Sequence, residues 1–106
     1  MSNHNDRQIH YCETMKEVRK HIDAIDRELI ALLARRQGYV KQAGRIKNRK
    51  EMVRDEARIS DVLDKVSHHA EHAGFSVKIA RTIWTTMINA FIDYEYKVWS
   101  TNHPQS

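Results

Sequence analysis

The sequence predicts an all-α protein organised around one very long first helix and completed as a homodimer. Three observations carry this. Among 106 residues there are 3 Gly and 1 Pro, too few breakers for the many turns of a sandwich or barrel. From Val18 onward the apolar positions Val18, Ile22, Ile25, Leu29, Leu32, Val40 and Ala43 advance in steps of three and four wherever the series is unbroken. That is the spacing of one helical face. The helix this stripe describes, about 34 residues long, is a rod of ~50 Å, whereas a compact chain of this size has a radius of gyration of ~13 Å. A long helix that is apolar along one face needs a cover, and a second copy of the chain is the simplest one.

The elements follow in order. Residues 1–13 are polar and read as a flexible N-terminal arm. Thr14 followed by Glu17 has the form of a capping box and starts the first helix. Gly38 and Gly44 each weaken it by ~1 kcal/mol relative to Ala without having to break it, so it runs to roughly Asn48. The charged stretch NRKEMVRD, Asn48 to Asp55, reads as a connecting loop. Asp55 is placed to N-cap a second helix, about Glu56 to His72. Its inward face is expected to carry Ile59, Val62, Leu63, Val66, Ala70 and Ala73, and Gly74 closes it as the residue after the C-cap. Ser76 caps a third helix, about Val77 to Thr101, whose apolar set is Ala80, Ile83, Trp84, Met87, Ile88, Phe91, Val98 and Trp99. The helical domain thus spans 14–101, and 102–106, with Pro104, is a loose C-terminal tail.

Composition narrows the function classes. The formal charge of +4 points to anionic partners, from nucleic acid to a small dicarboxylate. The cations are interleaved with Asp23, Asp26, Glu28, Glu51, Asp55 and Glu56, which dilutes any phosphate-tracking stripe, and a first helix this long fits no helix-turn-helix. Nucleic acid is therefore not the expected partner. No stretch approaches the ~20 apolar residues of a membrane span. MSNHNDRQIH lacks the apolar centre of a secretory signal, and a single cysteine, Cys12, fits a reducing compartment, so the cytoplasm is the expected location. His68, Glu71 and His72 lie in an H-x-x-E-H run that also occurs in one class of zinc peptidases. No third ligand is marked elsewhere, and the run is read as a solvated histidine cluster rather than a metal site. There is neither a Gly-rich phosphate loop nor a base arranged beside a serine or cysteine nucleophile.

The main signal lies in four charges at or beside apolar positions. The stripe of the first helix passes through Arg36 and Lys47, where the spacing asks for Leu. Arg58 opens the second helix, and Glu95 sits on the stripe of the third, four after Phe91 and three before Val98. An unpaired buried charge costs several kcal/mol even after relaxation, so something anionic should meet these cations. One reading is a buried ionic network, or long side chains snorkelling to solvent. The other is an interhelical pocket with an excess of positive charge, built for a small anion. Periodicity leaves both open.

The order Arg19, then LLARR with Arg36, then Gly44-Arg45-Ile46-Lys47, then Arg58 at a helix start resembles the AroQ-type chorismate mutase family over about Thr14 to Trp99. Within it, ARRQGYVKQAGRIK and DYEYKVW look closest to the isochorismate-pyruvate lyase branch. The resemblance implies an intertwined, all-helical homodimer acting on chorismate or isochorismate, small dicarboxylates. It implies that Arg19 reaches into the partner subunit's pocket to bind one substrate carboxylate and that Arg36 binds the other within its own subunit. By the same resemblance Lys47 would donate to the ether oxygen of the breaking bond, Arg58 would add positive charge beside the side-chain carboxylate, and Asp55 would help at the ring hydroxyl. Glu95 stands where many members have Gln, as a second donor to the ether oxygen. The rearrangement is pericyclic and needs no nucleophile, metal or cofactor. It needs a compact conformer held in place and negative charge stabilised on the ether oxygen.

Three departures bear on activity. Glu95 can donate only when protonated, so that role requires either burial that favours the neutral acid or an activity that favours acid. Ile59 follows Arg58 where typical mutases have a Glu on the ring hydroxyl, and an apolar residue there resembles the lyase branch. The loop between Lys47 and Arg58 is one residue shorter than in either relative. Chorismate mutase is the expected activity, with isochorismate-pyruvate lyase and a non-catalytic helical dimerisation module as the alternatives.

Overall fold

The computed structural model describes residues 8–104, so the start of the N-terminal arm (1–7) and the end of the tail (105–106) lie outside the described residues. The described residues form three α-helices and one short 3-10 turn: α1 (Met15–Ile46), a 3-10 turn (Lys50–Met52), α2 (Glu56–Ala73) and α3 (Val77–Asn102). No strand occurs among the described residues, and no helix there is long and apolar enough to cross a membrane. The chain divides into two compact units, Met1–Arg35 and Arg36–Ser106, with the boundary inside α1.

In the first unit, α1 starts as Thr14 and Glu17 dictate. The Glu17 N–H donates to the Thr14 hydroxyl at 3.2 Å, filling one of the donors a helix start leaves free. The return half of the capping box differs from expectation. The Thr14 hydroxyl itself donates to Glu17 Oε1 at 3.3 Å, in place of the Thr14 backbone N–H. Ahead of the helix, His10 stacks on His21 with ring centroids 5.0 Å apart. The stripe of this half of α1 stays half-exposed: Ile22 49%, Ile25 52%, Leu29 50% and Leu32 55%.

The second unit holds the core. Asp55 caps α2 by accepting the Arg58 N–H at 3.0 Å, and Ser76 caps α3 by accepting the Ile79 N–H at 3.2 Å. Gly74 ends α2 in the left-handed region at φ 73°, where a side chain would be strained. Its N–H and that of Phe75 close onto the carbonyls of Glu71 and Ala70 at 3.2 and 2.8 Å, the paired bonds of a Schellman ending. The short connection returns α3 antiparallel along α2. Arg81 reaches back to Ser67 Oγ at 2.9 Å, while Arg54, just before α2, reaches Asn89 at 3.2 Å. The closing part of α1 runs parallel to α3: Arg36 lies on Phe91, Gly44 on Val98, and Lys47 on Glu95.

The core is Val53, Ile88, Ile92 and Trp99, with Ile59, Val62, Leu63, Trp84 and Tyr96 packed against it. Here the structure corrects three expectations. The charged segment after Lys47 is more than a connector: its 3-10 turn drives Val53 inward to 3% exposure. Ile92 belongs to the buried face of α3, whereas Ile83 is 47% exposed. Ala73 is exposed too, because α2 is already ending at Gly74.

Candidate active site

Between the end of α1, the start of α2 and the middle of α3 lies a cleft of about 510 Å³, within the range typical of small-molecule sites. Each element presents its polar side chains there for a local reason. α1 continues its apolar face with Val40 and Ala43 and interrupts it with Arg36, and Lys47, just past its end, extends the same face. The cap of α2 places Asp55 and Arg58 at the rim, and Ile59 and Val62 line the wall below them. α3 contributes Ile88, Phe91, Ile92 and Glu95. Three cations thus face one cleft with two carboxylates, an excess of positive charge.

Arg36 is the group under most electrostatic stress. Burial first, and the Arg58 guanidinium second, lower its pKa from the ordinary arginine value. Arginine nonetheless keeps its proton. Its guanidinium carbon lies 4.9 Å from the centre of the Phe91 ring, a cation–π contact, yet its buried Nη1 has no hydrogen-bond partner among the described residues. A buried donor left unmade is costly. An anion entering the cleft would satisfy that nitrogen and screen the repulsion from Arg58 in one step.

Lys47 follows directly on the last residue of α1. Its Nζ lies 2.8 Å from Glu95 Oε2, and the Glu95 carboxylate is the one buried charged side chain among the described residues. The ion pair compensates the charge, and beyond it Oε2 has no hydrogen-bond donor among the described residues. At the rim, Arg58 is exposed and already engaged, its Nη1 donating to Asp61 Oδ2 at 2.9 Å. Asp61 is also 2.9 Å from Lys65. A hydrogen bond from Lys65 chiefly holds the Asp61 carboxyl below its usual range, against the opposing effect of desolvation, with the Lys65 charge and then Arg58 adding to it. Asp55 lines the cleft while spending Oδ1 on the cap of α2.

Five of the six residues singled out from the sequence, Arg36, Lys47, Asp55, Arg58 and Glu95, line this cleft. The sixth, Arg19, is exposed on the first unit. Tyr39, Val53 and Ile92 also line the cleft and were not singled out. Tyr39 lies three residues after Arg36, a spacing that marks a shared helical face, whereas nothing local marks Val53 amid its charged neighbours. The histidines of the H-x-x-E-H run are exposed, with His68 Nδ1 3.9 Å from Glu71. Among the described residues no three His, Cys, Asp or Glu side chains converge as metal ligands would.

Comparison with known proteins adds two findings. The model of the family chorismate mutase type II matches residues 18–96. The isochorismate pyruvate lyase of Pseudomonas aeruginosa is 27% identical over 88 residues, covering 83% of this chain and 87% of that protein.

Proposed function

This chain belongs to the chorismate mutase type II family, and from that premise we propose that it is a chorismate mutase, rearranging chorismate to prephenate in the cleft between α1, α2 and α3. The observation that carries the reading is Arg36, a partly desolvated guanidinium with a buried nitrogen unpartnered among the described residues, in a cleft of net positive charge. A carboxylate is the ligand whose geometry a guanidinium grips in bidentate fashion.

In this proposal Arg36 binds one substrate carboxylate, and Arg58, exchanging Asp61 for substrate, strengthens the positive field at the rim. Lys47 donates to the ether oxygen as the C–O bond breaks and the new C–C bond forms. Its compact charge is worth most in the transition state, when negative charge has gathered on that oxygen. Asp55 keeps one oxygen for the ring hydroxyl while the other holds the helix cap. Glu95 serves as a second donor only in its protonated form; ionised, it neutralises Lys47 and places negative charge beside the developing oxyanion. The domain is taken as 14–101 and the location as the cytoplasm. The other carboxylate is assigned to Arg19 of the partner subunit, in an intertwined homodimer. The half-exposed stripe of the first unit supports that assembly, because burying the rest of each Ile or Leu contributes about 1 kcal/mol.

A second reading has its own support. The lyase relative and the apolar Ile59 in the cleft wall both favour isochorismate-pyruvate lyase activity, which breaks the same kind of ether bond and yields salicylate and pyruvate. Product analysis with chorismate and isochorismate offered separately decides between them. Prephenate from chorismate is the expected result. Salicylate and pyruvate as the dominant products would move the assignment to the lyase. A folded protein inert to both would leave a non-catalytic helical module.

A further inference from the structure

The ammonium assigned to the ether oxygen sits at the least secure point of a helix. α1 ends at Ile46, so the carbonyl of Lys47 is among those a helix C-terminus leaves without an intrahelical donor. One side chain supplies that donor: the indole Nε1 of Trp99 donates to the Lys47 carbonyl at 3.0 Å, from 52 residues further along the chain. One turn before Trp99 on α3, Glu95 meets the other end of the same lysine, 2.8 Å from Nζ. α3 therefore grips Lys47 by its main chain and by its side chain.

The grip is built rather than incidental. Trp99 is 4% exposed and part of the core. Its ring stacks on that of His103 with centroids 4.4 Å apart and planes 14° from parallel. His103 Nδ1 lies 2.8 Å from the Trp99 carbonyl, so the stack is tied to the backbone of α3. Just before Lys47, Gly44 brings α1 so close that an added Cβ would stand 2.9 Å from Val98 and 3.2 Å from the Glu95 carbonyl oxygen. Trp99 itself does not line the cleft, so any effect it has on the reaction is indirect, and Lys47 is the cleft residue that its indole N–H bonds.

We propose that Trp99 is a positioning residue, whose indole N–H fixes the last turn of α1 and thereby holds the Lys47 ammonium where the ether oxygen is to be stabilised. The proposal rests on the reading of Lys47 as that donor. A flexible four-carbon stem is a poor support for a charge that must be aimed, and a misplacement of ~1 Å costs on the order of 100-fold in rate. Anchoring the main chain removes one source of that freedom.

The test replaces Trp99 by 3-benzothienylalanine, which keeps the shape and puts sulfur in place of the N–H, alongside Trp99→Phe. Each is assayed in steady state on whichever substrate the unaltered protein turns over, with thermal melts to establish that every variant is folded at the assay temperature. Both replacements are also made with Lys47→Ala. The expected result is a kcat lower by about 10- to 100-fold with KM changed less than about twofold. With Lys47→Ala, removing the indole N–H should cost nothing further, since a group acting only through Lys47 has nothing left to act on. An unchanged kcat for the folded benzothienyl variant overturns the proposal, as does the same fold-loss whether or not Lys47 is present. An unaltered protein inert to both substrates overturns the functional reading and this proposal with it. An active one in which Lys47→Ala turns over normally removes Lys47 as the donor, and the proposal again falls.

Discussion

A buried guanidinium nitrogen with no hydrogen-bond partner among the described residues is an unusual thing for a protein to keep, and Arg36 carries one into the cleft. Without an anion it carries two penalties, desolvation and the neighbouring Arg58, offset by the Phe91 contact, worth about 0.5–2 kcal/mol. Arg36→Ala should therefore leave stability within about 1 kcal/mol of the parent, because an uncompensated charge is removed along with the cation–π contact. Turnover should fall by roughly 100- to 1000-fold, the consequence of losing a charge-assisted grip on a carboxylate. Thermal melts and kinetics on the same preparation check both, and a collapse of the fold or of the dimer would point to a structural ionic network instead. Glu95→Gln belongs at this scale as well. An amide donates at every pH, whereas the carboxyl does so only when protonated. The substitution should raise turnover at neutral pH, and an unchanged rate there would remove Glu95 from the chemistry.

Among the elements, the contact of α1 with α3 decides whether Lys47 and Glu95 meet. Gly44 is buried because it has no side chain to spare, with Val98 and the Glu95 carbonyl in the space a Cβ would need. Helix propensity alone favours Gly44→Ala by ~1 kcal/mol, but inserting a methyl into a filled contact costs about 1–3 kcal/mol. The second effect wins here, since one of the obstructing atoms belongs to the backbone of α3. Gly44→Ala should lower the denaturation midpoint at unchanged m-value. A rise in the midpoint would mean that α1 can lift from α3 without loss.

For the whole molecule, the question is what covers the stripe of Ile22, Ile25, Leu29 and Leu32. The proposed dimer predicts sedimentation at twice the chain mass and a melting temperature that rises with protein concentration, because association stabilises by mass action. Leu29→Lys should break the dimer and, if Arg19 completes the partner's pocket, abolish turnover as well. Loss of the dimer with full activity retained would confine the site to one chain.

The sequence by itself determined the helices and their ends. The three-and-four spacing, the cap residues Thr14, Asp55 and Ser76, and Gly74 all act through bonds to neighbours within a turn, so the local order of residues suffices. It also marked Arg36, Lys47 and Glu95, because a charge breaking an apolar stripe is visible without coordinates. Only the tertiary structure decided that Lys47 and Glu95 lie 2.8 Å apart, that Trp99 reaches the Lys47 carbonyl, and that Val53 in a charged segment is core. Each of these joins residues remote in sequence, and such pairings depend on how the helices pack, which the period of a single helix does not contain.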